Sequence, residues 1–156
     1  MSVLVDIEDD GWRRVPDLEE LAEGAVAAAV AWERGSADPL DVSILFTGED
    51  QAALINREWR NETYAPNVLS FPAVAAIEPP PGEARPLGDI VLAAGVVARE
   101  AVEQGRSMES HTAHLLVHGT LHLLGYDHME PADAAKMEAV ETAILRELGY
   151  PDPYEQ

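Results

Sequence analysis

The stretch Ser107-Met-Glu-Ser-His111-Thr-Ala-His114-Leu-Leu-Val-His118-Gly-Thr-Leu-His122-Leu-Leu-Gly125-Tyr-Asp-His128 decides how the rest of the chain is read. It contains all five histidines of the protein within 18 residues. Ser107 is a good N-cap residue and Gly125 offers the left-handed conformation that ends helices, so residues 107–124 are expected to form one helix. His118 and His122 are four apart on it, so both rings project from one face and can grip one metal ion. Three residues beyond the glycine turn comes His128, free to swing back as a third ligand. A lone helical histidine is ordinarily a surface or satisfied core group; three at ligand spacing around a glycine turn point to a metal. His114, one turn before His118 on the same face, is either a fourth ligand, an outer group, or a partly exposed histidine. His111 is a weaker candidate.

The spacing H-x-x-x-H-x-x-G-x-x-H is that of the metzincin zinc site with one change. Gly119 stands where that site has glutamate. Three neutral imidazoles with an open fourth position make a catalytic zinc arrangement, although nickel or cobalt also accept such a set. The metal would lower the pKa of a bound water to about 7. A zinc peptidase needs a general base beside that water, and the missing glutamate counts against peptide hydrolysis. Attack on an already electrophilic centre, such as a phosphodiester, remains open.

Outward from this helix, the pattern alternates between strand and helix signals. Residues 2–7 alternate, with Val3, Val5 and Ile7 on one face. A helix is expected from Pro16–Asp17, where Asp17 and Glu20 have capping-box spacing, to a stop at Gly35. Its alanine-rich stripe over residues 24–30 reads as core. Residues 40–46 alternate again. Residues 48–60 read as a second helix, with Ala52, Leu54, Ile55 and Trp59 inward. Residues 67–71 read as a short strand closed by Pro72, residues 78–86 as a proline-rich loop, and residues 90–93 as a fourth strand. Helices follow over residues 96–104 and 132–148, the last begun at Pro131. The expected fold is α+β: a small mixed four-stranded sheet packed with about five helices and carrying a zincin-like metal site.

The length, 156 residues, fits one domain spanning residues 1–156 with a real core. With no cysteine, a disulfide scaffold, a cysteine-ligated zinc finger, an iron–sulfur cluster and a thiol nucleophile are excluded. The longest uncharged apolar stretches, residues 24–32 and 90–98, are about half a membrane span. The N-terminal MSVLVDIEDD lacks a basic n-region. A soluble, cytoplasmic protein with no membrane association is expected. The net charge is −19, and residues 1–78 carry 5 basic and 16 acidic groups against 5 and 13 in residues 79–156. There is thus no detachable acidic tail and no wide basic footprint for sequence-independent nucleic-acid binding. Lys136 is the only lysine, so anion contacts fall to arginine.

The segment HGTLHLLGYDH, residues 118–128, closely resembles the signature of the YbeY family of bacterial metal-dependent endoribonucleases of rRNA maturation. The likeness covers most of the chain. Leu54-Ile55-Asn56 with Trp59-Arg60 is similar to the family's helix ending in arginine, and Asn67-Val-Leu-Ser-Phe-Pro72 to its strand motif. Leu87-Gly-Asp-Ile90 resembles the next strand, and Leu148-Gly-Tyr-Pro-Asp-Pro-Tyr154 the C-terminal close. The resemblance implies one Zn2+ per chain on His118, His122 and His128, and Arg60 in the cleft. By itself Arg60 reads as a surface ion pair with Glu58 or Glu62; in the matched motif it is expected to hold a phosphate bidentately. Asn67 and Ser70 either contact the substrate backbone or pair within the sheet. Asp127, beside His128, is a candidate base or the partner of a ligand imidazole, the latter being the commoner role. Asp89 reads as structural. Tyr126 and Phe71 either stack on bases or pack in the core.

The expected activity is single-strand-specific endoribonuclease cleavage in rRNA processing, at the 16S rRNA 3′ end, and in ribosome quality control. Single-stranded RNA, as rRNA precursor, and the ribosomal small subunit or its proteins are the expected partners. Two other readings stand beside it: a metallohydrolase of another substrate class, including peptides, and a non-catalytic ribosome-assembly factor with a structural metal. The acidity leaves room only for a small cationic focus, namely the metal with Arg60 and Arg57, so weak, salt-sensitive binding to free RNA is expected.

Overall fold

In the computed structural model, which describes residues 2–34, 40–73, 80, 82–127 and 129–155, β2 (Leu40–Thr47) is the best-buried strand of a four-stranded sheet. Its Leu40, Val42, Ile44 and Phe46 alternate into the core, as the period of two requires. The sheet order is β1-β2-β4-β3, with β1 (Ser2–Ile7) and β4 (Arg85–Ala93) parallel to β2 and β3 (Val68–Pro72) antiparallel to β4. The mixed α+β sheet and its strand number match the sequence expectation. β3 is an edge strand, and its register places Ser70 opposite Ile90 and Phe71 opposite Asp89.

Five α-helices accompany the sheet: α1 (Leu18–Arg34), α2 (Glu49–Arg60), α3 (Ala94–Glu103), α4 (Met108–Leu123) and α5 (Pro131–Glu147). α4 is buried on nearly every side, by α1, α3, α5 and the sheet. Ser107 caps it, accepting from Ser110 N at 3.0 Å. Its end is a Schellman turn: Gly125, at φ 104°, donates to His122 O, and Tyr126 N donates to Leu121 O.

Several expectations need correction. Asp17 sits at φ 53° and contributes its carbonyl to Leu21 N, so it does not have the extended backbone of an N-cap. A 3-10 turn (Asp10–Arg14), not signalled by any periodicity, buries Trp12 edge-on to Phe46 with ring centroids 4.9 Å apart. Ile7, Leu54 and Trp59 are exposed rather than inward. α2 buries Ala52, as expected, and Asn56, which was not, and Asn56 Nδ2 donates to Tyr64 O at 3.0 Å. β4 begins at Arg85, five residues before the expected start, because Pro86 and Gly88 flank a register shift opposite Asp41 and Val42 that tolerates both. Gly35, the stop expected for α1, and residues 78, 79 and 81 of the proline-rich loop lie outside the described residues, as does His128.

Two glycines set how closely α4 approaches the sheet. A Cβ on Gly119 would lie 3.0 Å from Ser70 Oγ and 3.3 Å from Ile90 Cγ2. Gly88, at φ 151°, would carry a Cβ 2.4 Å from Phe71 O and 2.7 Å from Leu123 Cδ2. At Gly88 backbone strain and overlap act together, so Gly88→Ala is expected to destabilise by roughly 3 kcal/mol. Urea unfolding measures this, and a variant within 0.5 kcal/mol of wild type (the about ±0.5 kcal/mol of an ordinary surface change) would show that the close approach is not needed.

Candidate metal centre and substrate cleft

α4 presents His118 and His122 from successive turns, their ring centroids 4.7 Å apart and the planes at 78°. Both line a cleft of about 370 Å³ whose other wall is Arg60, Asn67, Val68, Leu69, Ser70 and Pro72. Among the described residues, no third His, Asp or Glu completes a metal-binding group with them. His128 lies outside those residues, so two of the three expected ligands are in view.

The donor set fits a metal. His118 Nδ1 is 2.5 Å from Oε1 of Glu141, a fully buried carboxylate of α5. Burial alone would raise the Glu141 pKa, but hydrogen bonds from His114 and His118 outweigh it and hold it at about 2. A carboxylate can only accept, so His118 donates through Nδ1, and Nε2 is the ring nitrogen that could ligate a metal.

Arg60, at the end of α2, donates from Nη2 to Ser70 O at 2.7 Å, and its guanidinium lies 5.4 Å from the Phe71 ring centroid. It therefore sits on the cleft wall and forms no ion pair with Glu58 or Glu62. Asn67 and Ser70 also line the cleft but are engaged within the protein. Asn67 Nδ2 donates to Glu100 Oε1 at 2.9 Å, its Oδ1 accepts from Val68 N, and Ser70 Oγ donates to Gly119 O at 3.3 Å. Asp127 is exposed, accepts from Met129 N at 3.1 Å, and lines a neighbouring pocket with Glu33, Tyr126 and Lys136. Tyr126 donates to Glu33 away from the cleft, and half-buried Phe71 packs between Arg60 and Trp59. Asp89 is exposed on the opposite face of the sheet, beside Ser43 and Leu45.

His114 does not face the cleft. Its Nε2 lies 2.9 Å from Glu141 Oε2 and its Nδ1 3.3 Å from Arg106 Nη2. Glu141 and Tyr154, whose hydroxyl also bonds Oε2 of Glu141, escaped the sequence reading. The available signal was a charged residue inside the inward stripe Met137, Glu141, Ile144 and Leu145.

The chain belongs to a family of endoribonucleases. The family model described as Endoribonuclease YbeY matches residues 6–149. Proteins named Endoribonuclease YbeY from Azorhizobium caulinodans and Agrobacterium fabrum are 44% and 42% identical over 99% of this chain and 96% and 95% of their own lengths. That of Stutzerimonas stutzeri is 45% identical over 88% of this chain and 89% of its own. The solution structure of TM1509 from Thermotoga maritima covers 99% of both chains at a TM-score of 0.58 and 22% identity, a likeness of fold.

Behind the cleft, burial pushes the His111 pKa down, against its bond to Glu100. The unfolded chain then binds more protons than the folded one, so this contribution to stability is present above about pH 6.5 and is lost as pH falls below it. Urea unfolding at pH 7 and pH 5 is expected to show a smaller loss in His111→Gln than in wild type; equal losses would remove His111 from the account.

Proposed function

We propose that the chain is a metal-dependent endoribonuclease that cleaves single-stranded RNA, with ribosomal RNA precursors as substrate and the 16S 3′ end as the site of action. The observation that carries this reading is the meeting of the imidazoles of His118 and His122 with the Arg60 guanidinium in one cleft. Three histidines, His118, His122 and His128, would hold a single Zn2+. Such an ion, when bound, acidifies a water toward neutral pH and so supplies the nucleophile.

The remaining work falls to the chain. Arg60 is braced on the Ser70 carbonyl through one N–H, and its guanidinium keeps other donors for a phosphate oxygen. It would stabilise charge growing on phosphorus, a contribution of roughly 3 kcal/mol. Asn67 and Ser70 shape the strand against which the RNA backbone would lie. Asp127 would orient His128 or take up a proton beside it. Peptide hydrolysis is disfavoured because Gly119 supplies no glutamate base, and a Cβ there would press on Ser70 and Ile90.

No described helix is long and apolar enough to cross a membrane. With a net charge of −19, delivery of substrate by the ribosomal small subunit or its proteins, in the cytoplasm, fits better than capture of free RNA. A part in ribosome quality control belongs to the same proposal.

The test is cleavage of single-stranded RNA by purified, zinc-loaded protein. Arg60→Ala is expected to lose about 10²-fold in rate with zinc retained. His122→Ala should lose both zinc and cleavage. Activity unchanged in both variants would assign the cleavage to a contaminant and overturn the reading.

A further inference from the structure

Behind the cleft wall runs a hydrogen-bonded chain whose direction can be worked out. Arg106 approaches two imidazoles through Nη2, at 2.5 Å from His111 Nδ1 and 3.3 Å from His114 Nδ1. A guanidinium only donates, so both Nδ1 atoms accept and both rings carry their proton on Nε2. His111 Nε2 then donates to Glu100, and His114 Nε2 donates to Glu141 Oε2. Tyr154, from the C-terminal segment, donates to the same Oε2. That leaves Oε1 of Glu141 for His118 Nδ1. Glu100 also accepts from Asn67 on the opposite wall, so the chain joins both sides of the cleft.

We infer that Glu141 is the positioning residue of the metal centre: it fixes His118 as the Nδ1–H tautomer, and His114 and Tyr154 hold Glu141 in place for that purpose. The inference rests on the metal reading above and adds three residues to it. A carboxylate behind a ligating imidazole orients the ring and raises its basicity. Glu141 is suited to this because it is fully buried, so neither water nor a surface cation competes for Oε1. His114 and Tyr154 meet edge to face, ring centroids 5.4 Å apart, so the C-terminal segment closes over the carboxylate it bonds.

The experiment combines zinc affinity, read by competition with a chromophoric chelator, with the His118 tautomer, read by long-range 15N–1H NMR on metal-free and zinc-loaded wild type. Nδ1–H on His118 is expected in both forms. Glu141→Gln is expected to bind zinc about 10- to 100-fold more weakly while its metal-free form keeps a cooperative unfolding transition. Tyr154→Phe should weaken zinc by a smaller factor with the fold intact, which serves if Glu141→Gln does not fold. Nε2–H on His118, or unchanged zinc affinity in the folded variants, would overturn the inference alone. Absence of zinc binding by wild type would overturn the metal reading with it.

Discussion

A helix buried on nearly every side has to satisfy every polar group it carries, and α4 carries four histidines. Burying an unpaired imidazole costs free energy, so each inward ring demands a partner from another element. His111 takes Glu100 of α3, and His114 and His118 converge on Glu141 of α5. The two threonines solve the same problem locally, with Thr112 and Thr120 hydroxyls donating to the carbonyls of Met108 and Leu116. The packing of α3, α5 and the C-terminal segment around α4 is thus tied to the chemistry of its histidine face. The helix is at once the centre of the core and the element that carries the two imidazoles of the cleft.

The cleft follows from how near α4 comes to β3. Ser70 touches both walls: its hydroxyl meets the Gly119 carbonyl, and its own carbonyl holds Arg60. The Arg60 wall and the histidine wall are therefore set by one strand residue and two glycines. A site built on a helix and a strand holds its geometry more tightly than one built on loops. In a strongly acidic protein this matters, since Arg60 places a positive charge on the cleft wall and Ser70 holds it there.

Much of this was legible in the residues themselves. β1 and β2 announce themselves by alternation, α4 by Ser107 and Gly125, and the histidine face of the cleft by His118 and His122 four apart. These are local signals, fixed by the geometry of a helix or a strand within a few residues. Position 119 was legible too, as a missing glutamate, though only the structure shows how closely β3 and β4 approach it. The exposure of Leu54 and Trp59 was not legible, because an amphipathic helix has several plausible inward stripes and the sheet edge selects one of them. β4 was cut short because Pro86 and Gly88 are breakers in isolation, and only a partner strand with a register shift makes room for them.

The sequence by itself determined the fold class, the position of the central helix and the pair of imidazoles four apart on it, because periodicity, capping and spacing are properties of a few neighbouring residues. Tertiary structure decided which carboxylate stands behind the His118 imidazole of the cleft. Glu141 lies 23 residues from His118, and Tyr154 another 13 beyond. Local spacing marks Glu141 only as a charge inside the apolar stripe of α5, and does not pair it with His118 among 29 acidic residues. Burial does, because only in the closed core does an acid without water need three donors, and there the histidines and the tyrosine supply them.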